Sequence, residues 1–234
     1  MIAPEPFFEP RGTPFSEFHR IRALTELGHQ VDLVTYPFGR DVTIAGLRLF
    51  RCLRPPFVHS VGIGPSIAKL PLDFLLALAV LRRAFSARYD AIHSHEEGGL
   101  IGVAVSAWLR IPHLYDMHSS LPQQLTNFAF SRSRVIHGVF LAIERVMIKR
   151  SRVVIVICPS LEDTVRGIDP KAHAMLIENA PGSGDTGWLN VNRSQSRALP
   201  SAPTEARKRS PGTAARARMA GAFPPIRSIS LPDS

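Results

Sequence analysis

Two histidines and two carboxylates crowd one short stretch of this sequence, His93-Ser94-His95-Glu96-Glu97. At the end of a strand predicted over residues 90–93, side-chain alternation sends both histidines to the same side. A metal site needs three or four converging ligands, and this stretch supplies at most a partial set, so we predict no metal here. We expect His95 and Glu96 or Glu97 to hydrogen-bond a polyhydroxylated ligand, and His93 to be packed in the sheet.

A third histidine, His118, follows the sequence Tyr115-Asp116-Met117 and precedes two serines. Such a polar cluster is costly to bury unless its members are paired or face a cleft. No serine lies in a Gly-x-Ser-x-Gly elbow, and no nucleophile–base–acid triad can be traced. We therefore expect His118 and the two serines to be paired or to line a cleft.

The sequence Arg11-Gly12-Thr13-Pro14 directly precedes a predicted helix. Free backbone N–H groups and the positive end of the helix dipole favour a phosphate or another anion there, and Gly12 would allow close approach of the backbone. The stretch is neither a GxGxxG fingerprint nor a P-loop, which disfavours an NAD enzyme or a kinase. The structural alternative is that Gly12 only makes the turn and Thr13 only caps the helix.

Apolar periodicity places these residues on a regular alternation of elements. Alternation of this kind implies parallel βαβ units, so we predict an α/β fold with a doubly wound, Rossmann-like parallel sheet. Ligands bind such sheets at the carboxyl ends of the strands, which selects the three loops above. Strands are predicted over 1–3, 31–35, 47–50, 90–93, 113–117, 153–157 and 174–177, and helices over 15–27, 71–86, 98–110, 135–150 and 160–166.

The composition is that of a globular protein, with 45% hydrophobic and 20% charged residues. The two cysteines lie in no metal or disulfide pattern. The amino terminus lacks the features of a signal peptide, which favours the cytoplasm. The most apolar stretch, residues 70–81, is shorter than a membrane span and predicts a buried helix.

The character of the sequence changes at about Gly182, where Pro, Ser, Ala, Arg and Gly begin to dominate. Of the net charge of +9, +5 lies from Gly184 onward, where eight basic residues face three acidic ones. We therefore predict a folded domain over 1–181 and a disordered tail over 182–234. A slipped reading frame is favoured over a natural basic tail as the origin of this segment.

Taken in order, several of these segments resemble the amino-terminal, acceptor-side domain of family 4 glycosyltransferases with the GT-B fold. Each match is weak alone, but the ordered set is fairly specific. The matching segments are Pro10 to Pro14, Arg22 to Leu24, Leu27 to Val31, Asp90 to His95, Tyr115 to His118, Glu144-Arg145, Val153 to Ser160 and Ile177 to Pro181.

The resemblance implies sugar transfer from a nucleotide-diphosphate sugar to a glycan, lipid or small-molecule acceptor, without a cofactor or a metal. It places Gly12 and Thr13 at the donor diphosphate and His118, as the catalytic residue, at the reacting sugar. The acceptor is expected near His95, Glu96 and Glu97. The family's donor-binding second domain should follow residue 181 and is not recognisable there, so we expect an incomplete chain with weak or no turnover.

Two other classes of protein are weighed against this one. A non-catalytic Rossmann module could bind a sugar or a partner protein through the same cleft. A binder of nucleic acid or anionic membranes could act through the basic tail and the helix near Arg132, Arg134, Lys149 and Arg150. A charge run is usually a solvated face, so we expect no nucleic-acid partner, and peripheral contact at the inner face of a membrane is left open.

Overall fold

The computed structural model describes residues 1–8, 12–62, 69–127 and 133–178. Seven strands and six helices follow one another in these ranges. The strands are β1 (Ile2–Ala3), β2 (Val31–Thr35), β3 (Leu47–Arg51), β4 (Ile92–His95), β5 (His113–Met117), β6 (Val153–Val156) and β7 (Ala174–Leu176). The helices are α1 (Gly12–Glu26), α2 (Leu70–Ser86), α3 (Gly98–Leu109), α4 (Leu121–Asn127), α5 (Arg134–Arg150) and α6 (Pro159–Ile168).

All neighbouring strands pair in parallel, in the order β3-β2-β1-β4-β5-β6-β7. From β1 the chain goes outward through α1 to β2, and after β3 it crosses back through α2 to β4, on the other side of β1. The order of the strands therefore reverses between β1 and β4, where open α/β sheets bind their ligands. The predicted doubly wound, Rossmann-like parallel sheet is confirmed.

Two hydrophobic clusters lie between the sheet and the helices. The first joins β1, β2 and β4 to α2 through Leu72, Leu76 and Val80. The second joins β5 and β6 to α5 and α6 around Tyr115 and Met147. Because α3 contributes to both clusters, it fixes the position of the loop that leads into it from β4.

Glycines on the inner face of α3 allow it to lie close to the sheet. A Cβ on Gly102 would meet the Nε2 atom of His113 at 2.4 Å and the Oγ atom of Ser94 at 2.7 Å. These two side chains hydrogen-bond each other at 2.6 Å, so neither moves aside freely. Only a residue without a side chain fits at this height above the strands.

The substitution Gly102→Ala is expected to destabilise the protein, although alanine favours helices. The overlap costs about 1–3 kcal/mol, and the helix preference returns no more than about 1 kcal/mol. Gly138→Ala in α5 is the matched control, since a Cβ there meets nothing within 4 Å. It should raise the free energy of unfolding by about 0.5–1 kcal/mol. Urea unfolding measures both, and effects of the same sign would contradict the assignment.

Most predicted elements are confirmed, and β2 and β5 have the predicted bounds. The strand predicted over 90–93 is instead β4 over Ile92–His95, because His95 still pairs with Asp116 in the ladder. The short helix α4 was not predicted. Its first N–H group, on Leu121, donates to Glu144 of α5 at 2.6 Å, and such a distant cap leaves no local signal in the sequence.

The prediction of a buried helix over 70–81 is wrong for one face of α2. Leu72, Leu76 and Val80 are buried, but Leu70 and Phe74 are exposed by 63% and 64%. Leu75, Ala79 and Ala84 pack against the same core cluster, and the exposed leucines and phenylalanines lie on the opposite face of α2. Among the described residues, no helix combines the length and apolarity needed to cross a membrane.

The tail predicted over 182–234 and the segment 179–181 lie outside the described residues. The domain boundary at 181 therefore stays a prediction.

Candidate functional site

A buried carboxylate, Asp116 near the end of β5, lies at the centre of a polar cluster beside the switch point. Its Oδ2 atom is 3.2 Å from Nε2 of His93 and 3.4 Å from Nδ1 of His95, both on β4. Its Oδ1 atom is 3.3 Å from Nε2 of His118. The guanidinium of Arg20, from α1, forms an ion pair with the same carboxylate. Three elements thus converge on one fully buried side chain.

The histidines of this cluster are neutral. Burial lowers the pKa of His93 and His95 well below 6.5 and that of His118 to about 3. The rings of His93 and His95 stack with centroids 4.9 Å apart, as strand alternation predicts. His95 also approaches His118, with centroids 5.7 Å apart. Uncharged imidazoles can offer hydrogen bonds to a ligand but no electrostatic attraction for a phosphate.

Two charged residues of α1 belong to the site and were missed from the sequence. Arg20 pairs with Asp116, and burial lowers the pKa of its guanidinium only to about 10, so it stays charged. Glu17 is fully buried with Oε1 3.7 Å from Nε2 of His95, and burial raises its pKa to about 7. A signal existed, because these residues are three apart and lie next to Ile21 on the inward face of the helix.

His93, His95 and Asp116 could hold a metal ion, since one ligand atom of each lies within 4.8 Å of the others. Arg20 argues against it. Its guanidinium already pairs with the carboxylate that would bind the ion, and a divalent cation would have to displace it. We therefore keep the prediction that no metal binds here.

Glu96 joins the loop after β4 to the loop after β5. Its backbone has a φ of 45°, the left-handed region, which turns the chain sharply after the strand. The Oγ atom of Ser119 donates to its carboxylate at 3.2 Å and Nε2 of Gln124 donates at 2.8 Å. Burial raises the pKa of Glu96 to about 8. At neutral pH the carboxyl is therefore largely protonated and can donate a hydrogen bond as well as accept one.

The predicted acceptor-binding group is divided by this turn. His95 faces Asp116 and Glu17 beneath the surface and is 1% exposed. Glu96 faces the β5–α4 loop. Glu97 turns toward α2, where its carboxylate is 3.5 Å from Nζ of Lys69. The three residues share a strand end but not one side of the pocket.

The glycine-containing segment before α1 is only partly described. Pro10 and Arg11 lie outside the described residues. Gly12 begins α1, and Thr13 is partly buried inside its first turn. Thr13 therefore does not occupy the capping position that the structural alternative gave it. The predicted diphosphate contact at Gly12 and Thr13 stays a prediction, at the amino end of a 15-residue helix.

The substitution Glu96→Gln is expected to change how stability depends on pH. The folded protein retains a proton that the unfolded chain releases between pH 4.5 and about 8, so wild-type stability falls as pH rises through that range. Glutamine has no proton to lose. The Tm of the variant relative to wild type should therefore rise between about pH 5 and about pH 8.5.

Glu162→Gln is the control, because that carboxylate forms an ion pair with Arg166 on the surface of α6. A Tm difference for Glu96→Gln that stays constant across the range would contradict the protonated carboxyl.

An open parallel sheet whose order reverses beside a cluster of polar side chains defines a Rossmann-like ligand-binding domain. The chain belongs to the glycosyl transferase 4-like domain family, whose model matches residues 19–180. No curated protein matches the sequence. The family resemblance expected from the ordered segments is confirmed.

Solved structures agree on the fold. Sucrose-phosphate synthase from Thermosynechococcus elongatus matches with a TM-score of 0.55 and 18% identity, covering 81% of this chain and 52% of that one. A shorter structure of the same synthase matches with a TM-score of 0.51 and 17% identity, covering 85% and 96%. The chain thus spans about half the length of the longer synthase chain.

Proposed function

We propose that this domain takes part in transferring a sugar from a nucleotide-diphosphate sugar to an acceptor hydroxyl. In that reaction the bond between the anomeric carbon and the diphosphate breaks, a bond to the acceptor oxygen forms, and the acceptor loses its proton. The observation that supports the proposal best is the meeting of His118, Ser119 and Glu96 at the strand ends of a family 4-like domain.

His118 is proposed to contact the reacting sugar. His118 directly follows β5, and its Nε2 atom lies 3.3 Å from Oδ1 of Asp116. Because burial keeps the imidazole neutral, it would act as a hydrogen-bonding group for a sugar hydroxyl and not as a counter-ion for the diphosphate.

The donor diphosphate is assigned to Gly12 and Thr13. They open α1, where backbone N–H groups and the helix dipole favour an anion. Arg20, about two helix turns further along, is already paired with Asp116. The positive end of the helix is therefore the better candidate for the diphosphate than the Arg20 side chain.

The acceptor is assigned to the rim of the site, the loop after β4 that carries Glu96 toward the β5–α4 loop and Glu97 toward α2. Glu96 is held by Ser119 and Gln124, and Glu97 by Lys69, so both carboxyls are fixed before a ligand arrives. His95 lies below this rim and is proposed to act on the acceptor side by supporting Asp116.

The test is an assay of the purified chain with UDP-, GDP- and ADP-sugars, following both nucleotide release and calorimetric binding. The proposal expects binding of at least one donor, weakened by Gly12→Val, which blocks approach of the backbone to the diphosphate. The proposal is contradicted if the chain binds no nucleotide sugar but does bind a free sugar or a partner protein. That result would favour a non-catalytic module.

A further inference from the structure

The outer side of α2 carries a continuous stripe of large apolar side chains. They recur at intervals of four, four, three and four residues, which places them on one side of the helix. Each is exposed by between 36% and 75% of its surface. The members of the stripe are Leu70, Phe74, Leu78, Leu81 and Phe85.

Helix α3 extends this stripe sideways. The rings of Phe85 and Trp108 meet edge to face with centroids 4.7 Å apart. Trp108 is 49% and Leu100 is 45% exposed, and no charged residue occurs in α3. We call the stripe, Leu100 and Trp108 together the α2–α3 surface. Contiguous apolar patches of this kind on a protein surface mark interaction sites.

Positive charges outnumber negative ones around the α2–α3 surface, where the exposed acid is Asp90, two residues after Arg88. The acidic residues in α2, α3 and α5 are Asp73 and Glu144. Both face inward, because Asp73 accepts a hydrogen bond from Tyr36 and Glu144 caps α4. The outward cations around the surface are Arg82, Arg88 and Arg110, with Arg145, Lys149 and Arg150 on α5.

We propose that the α2–α3 surface docks on an anionic lipid bilayer. Apolar side chains enter the boundary between headgroups and acyl chains, and flanking arginines attract anionic headgroups. Charge argues against a second copy as the occupant, since two cationic surfaces would face each other. Burial of leucine and phenylalanine side chains favours a bilayer over nucleic acid, which offers mainly phosphate to a cationic surface.

The orientation of α2 gives this docking a consequence for the candidate site. The helix begins at the carboxyl edge of the sheet, where Lys69 contacts Glu97 and Asp73 contacts Tyr36. A bilayer along α2 would therefore reach the edge that carries Glu96 and His118. The docking itself does not depend on the proposed transfer reaction.

The experiment is co-sedimentation of the full chain with vesicles of phosphatidylcholine, with and without about one third phosphatidylglycerol. We expect binding to the anionic vesicles that weakens with added salt. The double variant Phe74→Ser/Phe85→Ser should bind at least tenfold more weakly, and Arg82→Glu/Arg110→Glu severalfold more weakly. Leu27→Ser and Arg22→Glu, at the end of α1, are matched controls that should bind as wild type does.

Circular dichroism verifies that each variant is folded. We expect folding to be retained because the substituted side chains are exposed. Wild-type chain that ignores anionic vesicles would overturn the proposal. So would unchanged binding by the folded phenylalanine variant, because binding would then come from the basic residues after 184. A dimer in sedimentation velocity that Phe85→Ser dissociates would assign the surface to a second copy instead.

Discussion

Replacing Asp116 with alanine is expected to lower the free energy of unfolding by about 3–5 kcal/mol. The carboxylate is fully buried and pairs with the guanidinium of Arg20, which is itself 12% exposed. Removing one partner leaves the other charge buried without compensation, and two histidines of β4 lose the oxygen that they face. Equilibrium unfolding in urea at neutral pH measures the loss.

A double-mutant cycle separates this effect from a general loss of packing. Arg20→Met combined with Asp116→Ala should cost clearly less than the sum of the two single variants, because the double variant leaves no unpaired charge. Glu26→Ala is the surface control, since its ion pair with Arg22 is exposed and should be worth under about 1 kcal/mol. Additive single effects would mean that the Asp116 cluster is not coupled.

Replacing His118 with alanine is expected to lower the kcat of sugar transfer by about a hundredfold, with a smaller change in KM. The estimate follows from the loss of one preorganised hydrogen-bonding group at the reacting sugar, typically about 10²–10³ in rate. His118→Gln keeps a hydrogen-bonding group and should restore part of the rate. The measurement is steady-state transfer with the donor that the wild-type chain binds best.

His173→Ala is the control, because His173 is exposed before β7 and far along the sheet from the switch point. Since His118 packs against Asp116, the urea midpoint of each variant is measured beside its rate. A rate that falls only in proportion to the folded fraction would make His118 a structural residue and contradict its assignment to the sugar.

The sequence predicts the sheet well because buried parallel strands are short, apolar runs. The strands β2 and β5 are defined by their own residues, and their bounds were predicted to the residue. The predicted end of β4 was two residues too early because His95 is polar. Its pairing with Asp116 on β5 keeps it in the sheet. For α2, burial on all sides was predicted from its apolar composition. Composition alone does not say which side of a helix is covered.

The roles of the candidate site residues stay predictions, and the structure adds how the segments that carry them are arranged. The three loops selected from the sequence follow parallel strands, whose carboxyl ends share one edge of the sheet. The sequence did not show that His95, Glu96 and Glu97 point in different directions, because this follows from the positive φ of Glu96. The spacing of Glu17, Arg20 and Ile21 indicates that both charged side chains face inward, but their partners are about 80 to 100 residues away in sequence, so the spacing does not say what they contact.

The hydrogen bond from Leu121 to Glu144 bears on the order in which the site is assembled. The two residues are 23 positions apart, and Glu144 is the later one to leave the ribosome. During synthesis α4 therefore cannot acquire its cap until α5 has been made. Until then the segment that carries His118, Ser119 and Ser120 is not held at its carboxyl end. Any defect that delays α5, such as a truncation before Glu144, would leave a chain with the early strands formed and this loop unfinished.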